Sequence, residues 1–290
     1  MKTRLAVIGT LAVSLITGLA AQGAEDVPKI AASANASNSN AIGYHRQITS
    51  KILGEDRLLQ IRLPRNYDSK PNKRYPMLIQ LDGEDAFLHV IDVVEQVVVL
   101  EEARGVPEMI VVGIPNSSKQ SRGRDMLPPS SQYAPKDASP ERFLRFIKEE
   151  VVPFVKANYR TTETRILVGQ STSGFFAWWA LLQDPALFQG VIAISPSFAD
   201  CWPVMADELK AHARDEALRG AYLHLARGGQ GREQGVAESL AMFLPLSEPA
   251  KGLTIKTKVY AELGHVPYPA LYDALKIMGN DFFPGQSAKK

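Results

Sequence analysis

Cysteine is nearly missing from this chain of 290 residues, in which Cys201 is the only one. A single cysteine excludes an intrachain disulfide bond and a metal site built from clustered cysteines. An excess of one charge is missing too, since 33 Lys and Arg face 31 Asp and Glu, for a formal net charge of +2. Both signs are mixed along the chain, so the composition gives no argument for a nucleic-acid partner or a strongly acidic one.

Long hydrophobic runs are missing after Leu19, and the sequence therefore predicts no stable membrane insertion of the remaining chain. The N-terminus differs, because residues 1–4 carry two positive charges, residues 5–19 are apolar, and most of residues 20–24 are small. This order is typical of a secretory signal peptide cleaved between Ala20 and Ala24. The alternative is a membrane anchor, which an apolar run of about 15 residues disfavours because a spanning helix needs about 20.

These features divide the chain into four predicted parts. We predict a signal peptide at 1–24, a disordered polar leader at 25–40, one domain at 41–282 and a disordered tail at 283–290. An exported chain without disulfide bonds fits a bacterial periplasm, with secretion as the alternative.

Within the domain, short β-rich runs alternate with segments of helix length. The β-rich runs are 57–63, 77–81, 109–114, 166–168, 191–194, 222–225 and 255–260, and the helix-length segments are 86–104, 140–158, 174–183, 204–218, 233–244 and 267–278. Alternation of this kind predicts an α/β fold whose mostly parallel sheet has helices on both faces. Residues 44–49 and 57–63 mix polar and apolar positions and are expected to form an antiparallel edge pair. The polar stretch 116–137 is expected to be a loop that lines a site.

Residues 166–174 are the most informative segment. A β-rich run enters the turn Gly169-Gln170-Ser171-Thr172-Ser173-Gly174, and a helix-length segment follows. In the G-x-S-x-G turn of α/β-hydrolases, a nucleophilic serine lies on a strained strand-to-helix turn, with small neighbours where the backbones crowd. Ser171 is therefore the candidate nucleophile. Ser173 stands where the motif has its second glycine, and the alternative is a plain strand–helix turn that contains a serine.

The candidate base and acid follow from the chain order nucleophile, acid, histidine of this fold class. Only three histidines follow Ser171, and His265 alone comes directly after a β-rich run, where such sheets carry catalytic groups. The loop after the run 222–225 contains no aspartate, so Glu233 is the first choice for the acid and Glu238 the second. Both glutamates also fit as solvated charges near a helix start. A serine–histidine dyad helped by water or a backbone carbonyl is then the alternative to a triad.

The oxyanion hole of this fold class uses the N–H after the nucleophile and an N–H from the loop after the third strand. Here these are Thr172 and either Gly83 or Glu84, in the turn Asp82-Gly83-Glu84-Asp85. The acidic turn has too few oxygen ligands at fixed spacing for a hard cation, so no metal site and no cofactor are expected.

Several ordered motifs carry a family resemblance: Leu81-Asp82-Gly83, Ile114-Pro115-Asn116, Arg122-Gly123-Arg124-Asp125, residues 169–174, Ser195-Pro196-Ser197, Gly264-His265 and Leu271-Tyr272-Asp273. From about Tyr44 to Met278 the chain resembles the "Putative esterase" family of α/β-hydrolases, which includes enterochelin-type siderophore esterases and related carboxylesterases. The resemblance implies Ser171 as nucleophile and His265 as base. For an acidic, catechol-bearing substrate it also implies cationic or aromatic contacts, with Arg122, Arg124 and Trp202 as candidates. Arg124 and Asp125 fit a structural ion pair equally well.

The sequence thus predicts an exported serine hydrolase that acts on small-molecule carboxylic esters. A non-catalytic binding protein on the same fold stays open because of Ser173 and the missing aspartate. Acyl transfer to an acceptor other than water also stays open.

Overall fold

The computed structural model describes residues 43–100, 105–197, 201–212, 216–231, 233–247 and 252–283. The predicted signal peptide at 1–24, the leader at 25–40 and all but Phe283 of the tail at 283–290 lie outside these ranges. In the described ranges, no helix is both long and apolar enough to cross a bilayer.

The centre of the fold is an eight-stranded sheet in the order β1-β2-β4-β3-β5-β6-β7-β8. Its strands are β1 (Tyr44–Ser50), β2 (Glu55–Arg62), β3 (Tyr75–Leu81), β4 (Ile110–Ile114), β5 (Thr161–Gln170), β6 (Gly190–Ile194), β7 (Tyr222–Gly228) and β8 (Thr254–Tyr260). β2 is antiparallel to both β1 and β4, and every other pair is parallel. The predicted α/β class and the antiparallel edge pair are therefore confirmed.

Side-chain patterns explain which strands lie at the centre. Every residue of β3, β4 and β6 is buried, as expected for parallel strands covered on both faces. In β2, by contrast, Leu59 and Ile61 are fully buried while neighbouring positions are more exposed. This alternation suits an edge region with one solvated face.

Eight α-helices surround the sheet in the described ranges. They are α1 (Gly83–Glu95), α2 (Lys119–Met126), α3 (Pro140–Phe146), α4 (Val152–Asn158), α5 (Thr172–Gln183), α6 (Trp202–His212), α7 (Glu233–Ser247) and α8 (Ala270–Asp281). Successive side chains of β3 point to opposite faces of the sheet. Met77 and Ile79 belong to the core beneath α3–α7, and Leu78 belongs to the core beneath α1 and α8. Helices thus cover both faces, as predicted.

Two segments differ from the sequence expectation. The stretch 116–137 is not loop throughout, because α2 lies within it. Ser118 caps this helix: its side chain accepts from Ser121 N, while Ser121 Oγ accepts from Ser118 N. The first long helix begins earlier than residue 86, since α1 starts at Gly83, directly after β3.

Candidate active site

Ser171 lies between the end of β5 and the start of α5, with φ 57° and ψ −120°. A residue other than glycine rarely adopts this backbone conformation, which persists only where its surroundings enforce it. Here its N–H donates to Ile194 O at 2.9 Å, and its carbonyl accepts from Phe175 N at 3.0 Å and Ser197 N at 3.1 Å. Backbone bonds to β6, to α5 and to the segment after β6 therefore hold the strained turn.

Close backbone approach explains the small residues around Ser171. A Cβ atom on Gly169 would lie 2.1 Å from Ser173 O, far inside van der Waals contact. A Cβ on Gly174 would lie 3.1 Å from Ile194 O. The turn therefore requires glycine at 169 and leaves little room at 174.

Ser173, the departure from the motif, is fully buried and hydrogen bonded. Its Oγ accepts from Gln170 N at 2.7 Å and donates to Asp82 Oδ2 at 2.7 Å. The serine thus joins the turn around Ser171 to the turn that follows β3.

The Asp82 carboxylate accepts from three side chains. Arg122 donates from Nε to Oδ1 and from Nη2 to Oδ2, both at 2.8 Å, and Asn116 Nδ2 donates to Oδ1 at 2.7 Å. The third donor is the hydroxyl of Ser173. The hydrogen bonds to Asp82 raise the pKa of the Arg122 guanidinium above its usual value.

The predicted oxyanion donors are the first residues of two helices that follow neighbouring strands, Gly83 after β3 and Thr172 after β5. The carbonyl of Asp82 accepts from Asp85 N and Ala86 N, both at 3.1 Å, so it points into α1. Because a trans peptide directs its C=O and N–H oppositely, the Gly83 N–H points away from α1. The same argument turns the Thr172 N–H away from α5, since Ser171 O accepts from Phe175 N.

His265 follows β8, and its Nδ1 pairs with Oε1 of Glu233, the first residue of α7. Glu233 is fully buried, and its Oε2 accepts from Ser195 Oγ at 2.8 Å and Gly228 N at 3.1 Å. Glu238 is exposed and accepts instead from Gln234 at 3.1 Å. Of the two glutamates that the sequence proposed, the structure brings Glu233 to His265.

A short backbone link joins the serine and histidine sides of the site. Ser171 N bonds to Ile194 O, and the next residue, Ser195, bonds to Glu233. Ser195 also accepts from Val266 N at 3.2 Å and has a φ of 44°. The Nε2 atom of His265 is buried and has no hydrogen-bond partner within the described ranges. With Nδ1 donating to a carboxylate, this nitrogen is the one free to accept a proton.

The three predicted substrate contacts have different outcomes. Arg122 is bound to Asp82, as described above. Arg124 donates to Glu55 from Nη1 at 2.9 Å and from Nη2 at 2.8 Å, and to Asp125 from Nε at 2.7 Å. These bonds raise the pKa of Arg124 and match the structural ion pair that the sequence left open. Trp202 begins α6, but its side chain lies outside what the structure describes.

Sequence reasoning gave no role to Ser195 or Asn116. Ser195 comes directly after β6, and Asn116 follows β4 with one residue between them. Both strands are fully buried, and a polar residue at the carboxyl edge of the sheet is the sequence signal that could have identified these two. In the described ranges no group of three or more His, Cys, Asp or Glu could hold a metal ion. The Glu84 carboxylate of the acidic turn instead accepts from Asn116 N at 2.8 Å and Asn116 Nδ2 at 2.7 Å.

The strand order and the strained serine between β5 and α5 define an α/β-hydrolase fold. Within this class the chain belongs to the esterase family, because residues 50–236 match the family model described as "Putative esterase". His265 lies beyond the matched range.

Two curated proteins and a solved structure are similar to this chain. The chain is 29% identical over 160 residues to the uncharacterized protein YjcH of Bacillus subtilis, covering 54% of this chain and 62% of that protein. It is 28% identical over 158 residues to the ferri-bacillibactin esterase BesA of the same organism, covering 49% and 55%. The chain thus spans somewhat more than half the length of these curated relatives. A crystal structure of an IroE-like serine hydrolase from Shewanella oneidensis superposes with a TM-score of 0.69 and 25% identity, covering 83% of this chain and 81% of that one.

Proposed function

We propose that this protein is a serine hydrolase that cleaves carboxylic esters, with Ser171 as nucleophile, His265 as general base and Glu233 as the acid that orients it. One observation carries the proposal. A buried carboxylate holds Nδ1 of His265 and leaves Nε2 free, at the same edge of the sheet as a serine in the strained nucleophile conformation. Fold membership alone does not carry a function, so the proposal depends on this geometry.

The first half of the reaction forms an acyl-enzyme. Ser171 Oγ attacks the ester carbonyl carbon while His265 Nε2 takes the hydroxyl proton. The carbonyl oxygen becomes an oxyanion that accepts hydrogen bonds from the Thr172 and Gly83 N–H groups. When the C–O bond to the alcohol breaks, the alcohol oxygen takes the proton from His265.

The second half releases the acid. His265 removes a proton from water, whose oxygen attacks the acyl carbon, and the same two N–H groups hold the second oxyanion. Collapse returns the proton from His265 to Ser171 and releases the carboxylic acid. The Glu233 carboxylate stabilises the imidazolium form of His265.

Siderophore esters are one proposed substrate class, and short-chain acyl esters are the other. Support for the siderophore comes from the similarity to BesA, whose name states a ferri-bacillibactin esterase. Support for simple esters comes from the family description alone. We also propose export to the periplasm, supported by the order of charges and apolar residues in residues 1–24.

Ester turnover tests the reaction. Purified protein is incubated with p-nitrophenyl esters of graded acyl length and with a siderophore ester, beside Ser171→Ala, His265→Ala and the matched control His212→Ala. The expected result is hydrolysis by the parent and His212→Ala, with losses of at least about a thousandfold in the other two variants. No turnover of any ester by the parent would favour a binding protein, and product that appears only with an added alcohol would favour acyl transfer.

Export is tested separately by expressing the full chain in a Gram-negative host and sequencing the N-terminus of the periplasmic protein. We expect a mature chain that begins within residues 21–25. A chain that keeps Met1 and sediments with membranes would contradict the signal peptide.

A further inference from the structure

The turn that carries Gly83 is held by a residue in an unusual conformation. Asp82 has φ 53° and ψ 46°, the left-handed region that residues other than glycine seldom adopt. The peptide group between Asp82 and Gly83 contains the N–H that we assign to the oxyanion hole. Two backbone N–H groups of α1 hold the carbonyl of this peptide group, so the side chain of Asp82 is what ties the group to elements outside α1.

That carboxylate is hydrogen bonded on both oxygens. Oδ1 accepts from Asn116 and Arg122, whereas Oδ2 accepts from Arg122 and Ser173. Arg122 lies in α2, and Asn116 precedes that helix. Among these donors, only Ser173 belongs to the turn that contains the nucleophile. Ser173 is thus the direct side-chain bridge between Asp82 and that turn. Arg122 adds an indirect link, because its Nη2 also donates to Gln170 O at 3.3 Å.

The bridge is rigid at its other end as well. Ser173 is fully buried, and its Oγ accepts from Gln170 N at 2.7 Å. Its single proton has two acceptors in reach, Gln170 O at 2.9 Å and the charged, closer Asp82 Oδ2 at 2.7 Å. Hydrogen bonds to a charged acceptor are shorter and stronger, so we assign the proton to Asp82.

We propose that Ser173 is a positioning residue that fixes the Gly83 N–H relative to the Thr172 N–H through its hydrogen bond to Asp82. This inference rests on the proposed ester hydrolysis. Ser173 follows Thr172 directly, and Asp82 precedes Gly83 directly, so one hydrogen bond joins the residues next to the two oxyanion donors. A glycine at 173, as in the usual motif, lacks the hydroxyl that makes this connection.

The position of the bridge predicts which kinetic constant responds. Oxyanion donors act on charge that develops in the transition state, so their displacement lowers kcat more than it raises KM. Within the described residues, the hydrogen bonds of the Ser173 side chain are with Gln170 and Asp82, and none is with His265 or Glu233. The acidic limb of the pH–rate profile, which reports the base, should therefore stay in place.

The test compares Ser173→Ala and Ser173→Gly with a matched control, Ser50→Ala, in the full exported protein. Ser50 is also buried and also donates to a carboxylate, that of Glu150, but it lies on the edge strand β1. Measured quantities are kcat, KM, the pH–rate profile, the affinity for a boronic acid that forms a tetrahedral adduct with Ser171, and the thermal midpoint. Ser173→Gly keeps the test meaningful if Ser173→Ala packs poorly, because the motif accommodates glycine there.

We expect both Ser173 variants to lose about tenfold to a hundredfold in kcat and to bind the boronic acid correspondingly more weakly. KM and the pH profile should change little, and Ser50→Ala should retain the parent kinetics. Variant kcat values within about twofold of the parent would overturn the positioning role while leaving the hydrolase intact. A parent that neither hydrolyses esters nor binds the boronic acid would instead remove the proposed function, and the positioning role with it.

Discussion

Glu233 contacts His265 from a position with no solvent exposure, and both of its carboxylate oxygens are used. Oε1 pairs with Nδ1 of His265, while Oε2 accepts from Ser195 and from the Gly228 N–H. A buried carboxylate with this set of donors cannot rotate away without leaving polar groups unpaired, and that cost is high. The orientation of His265 is thereby fixed by residues from β7, α7 and the end of β6.

Separate substitution of the two candidate acids tests this arrangement. Glu233→Gln removes the charge that stabilises the imidazolium, and we expect kcat to fall by about a hundredfold or more. Glu238→Gln changes an exposed residue on the same helix and should leave kcat within about twofold of the parent. Steady-state kinetics on one ester is the measurement, and a larger loss in Glu238→Gln than in Glu233→Gln would contradict the assignment.

Glycine substitutions test the crowding at the nucleophile turn. Gly169→Ala places a Cβ 2.1 Å from Ser173 O, and we expect the free energy of unfolding to drop by about 3 kcal/mol or more. Gly235→Ala, in α7, meets nothing within 4 Å and should raise it by about 0.5–1 kcal/mol through helix propensity. Urea unfolding of both variants measures the two free energies. Equal stability of the two would show that the turn relaxes freely.

His224 on β7 predicts a pH dependence of stability. Burial, with a smaller effect from Lys258, lowers its pKa from 6.5 to about 4. Between these two pH values the unfolded chain binds a proton at His224 that the folded chain does not bind. The contribution of His224 to the free energy of unfolding is therefore present in full above pH 6.5 and is lost as the pH falls toward 4. The shift corresponds to about 3 kcal/mol.

His224→Leu removes the group that takes up this proton. The control is the unfolding curve of the same variant at neutral pH. We expect unfolding free energies measured at pH 7 and pH 4.5 to differ less in the variant than in the parent. An equally steep pH dependence in both proteins would assign the acid sensitivity to carboxylates instead.

Arg124 provides a test between structure and substrate contact. Because it bonds to Glu55 and Asp125, we expect Arg124→Gln to lower the free energy of unfolding by about 1–2 kcal/mol. KM for p-nitrophenyl and siderophore esters should stay within about twofold of the parent. A KM for the siderophore ester that rises about tenfold with unchanged stability would favour the substrate contact.

Local sequence patterns were sufficient for the sheet and for the turn at Ser171, because buried parallel strands are continuous apolar runs and the turn needs small residues within a few positions. They were insufficient for Ser173, whose partner Asp82 is 91 residues away. The choice between Glu233 and Glu238 likewise depends on burial, which the loop sequence does not reveal. Helix α2 escaped prediction because it is polar and starts at a serine cap rather than on an apolar stripe.

Covalent labelling of Ser171 tests the central claim most directly. The protein is treated with a fluorophosphonate probe, and the adduct is mapped by peptide mass spectrometry, beside Ser171→Ala and His265→Ala. We predict one adduct on the peptide that contains Ser171, none in Ser171→Ala, and strongly slowed labelling in His265→Ala, since the base no longer activates the hydroxyl. Labelling that persists in Ser171→Ala, or that maps to another serine, would contradict the account.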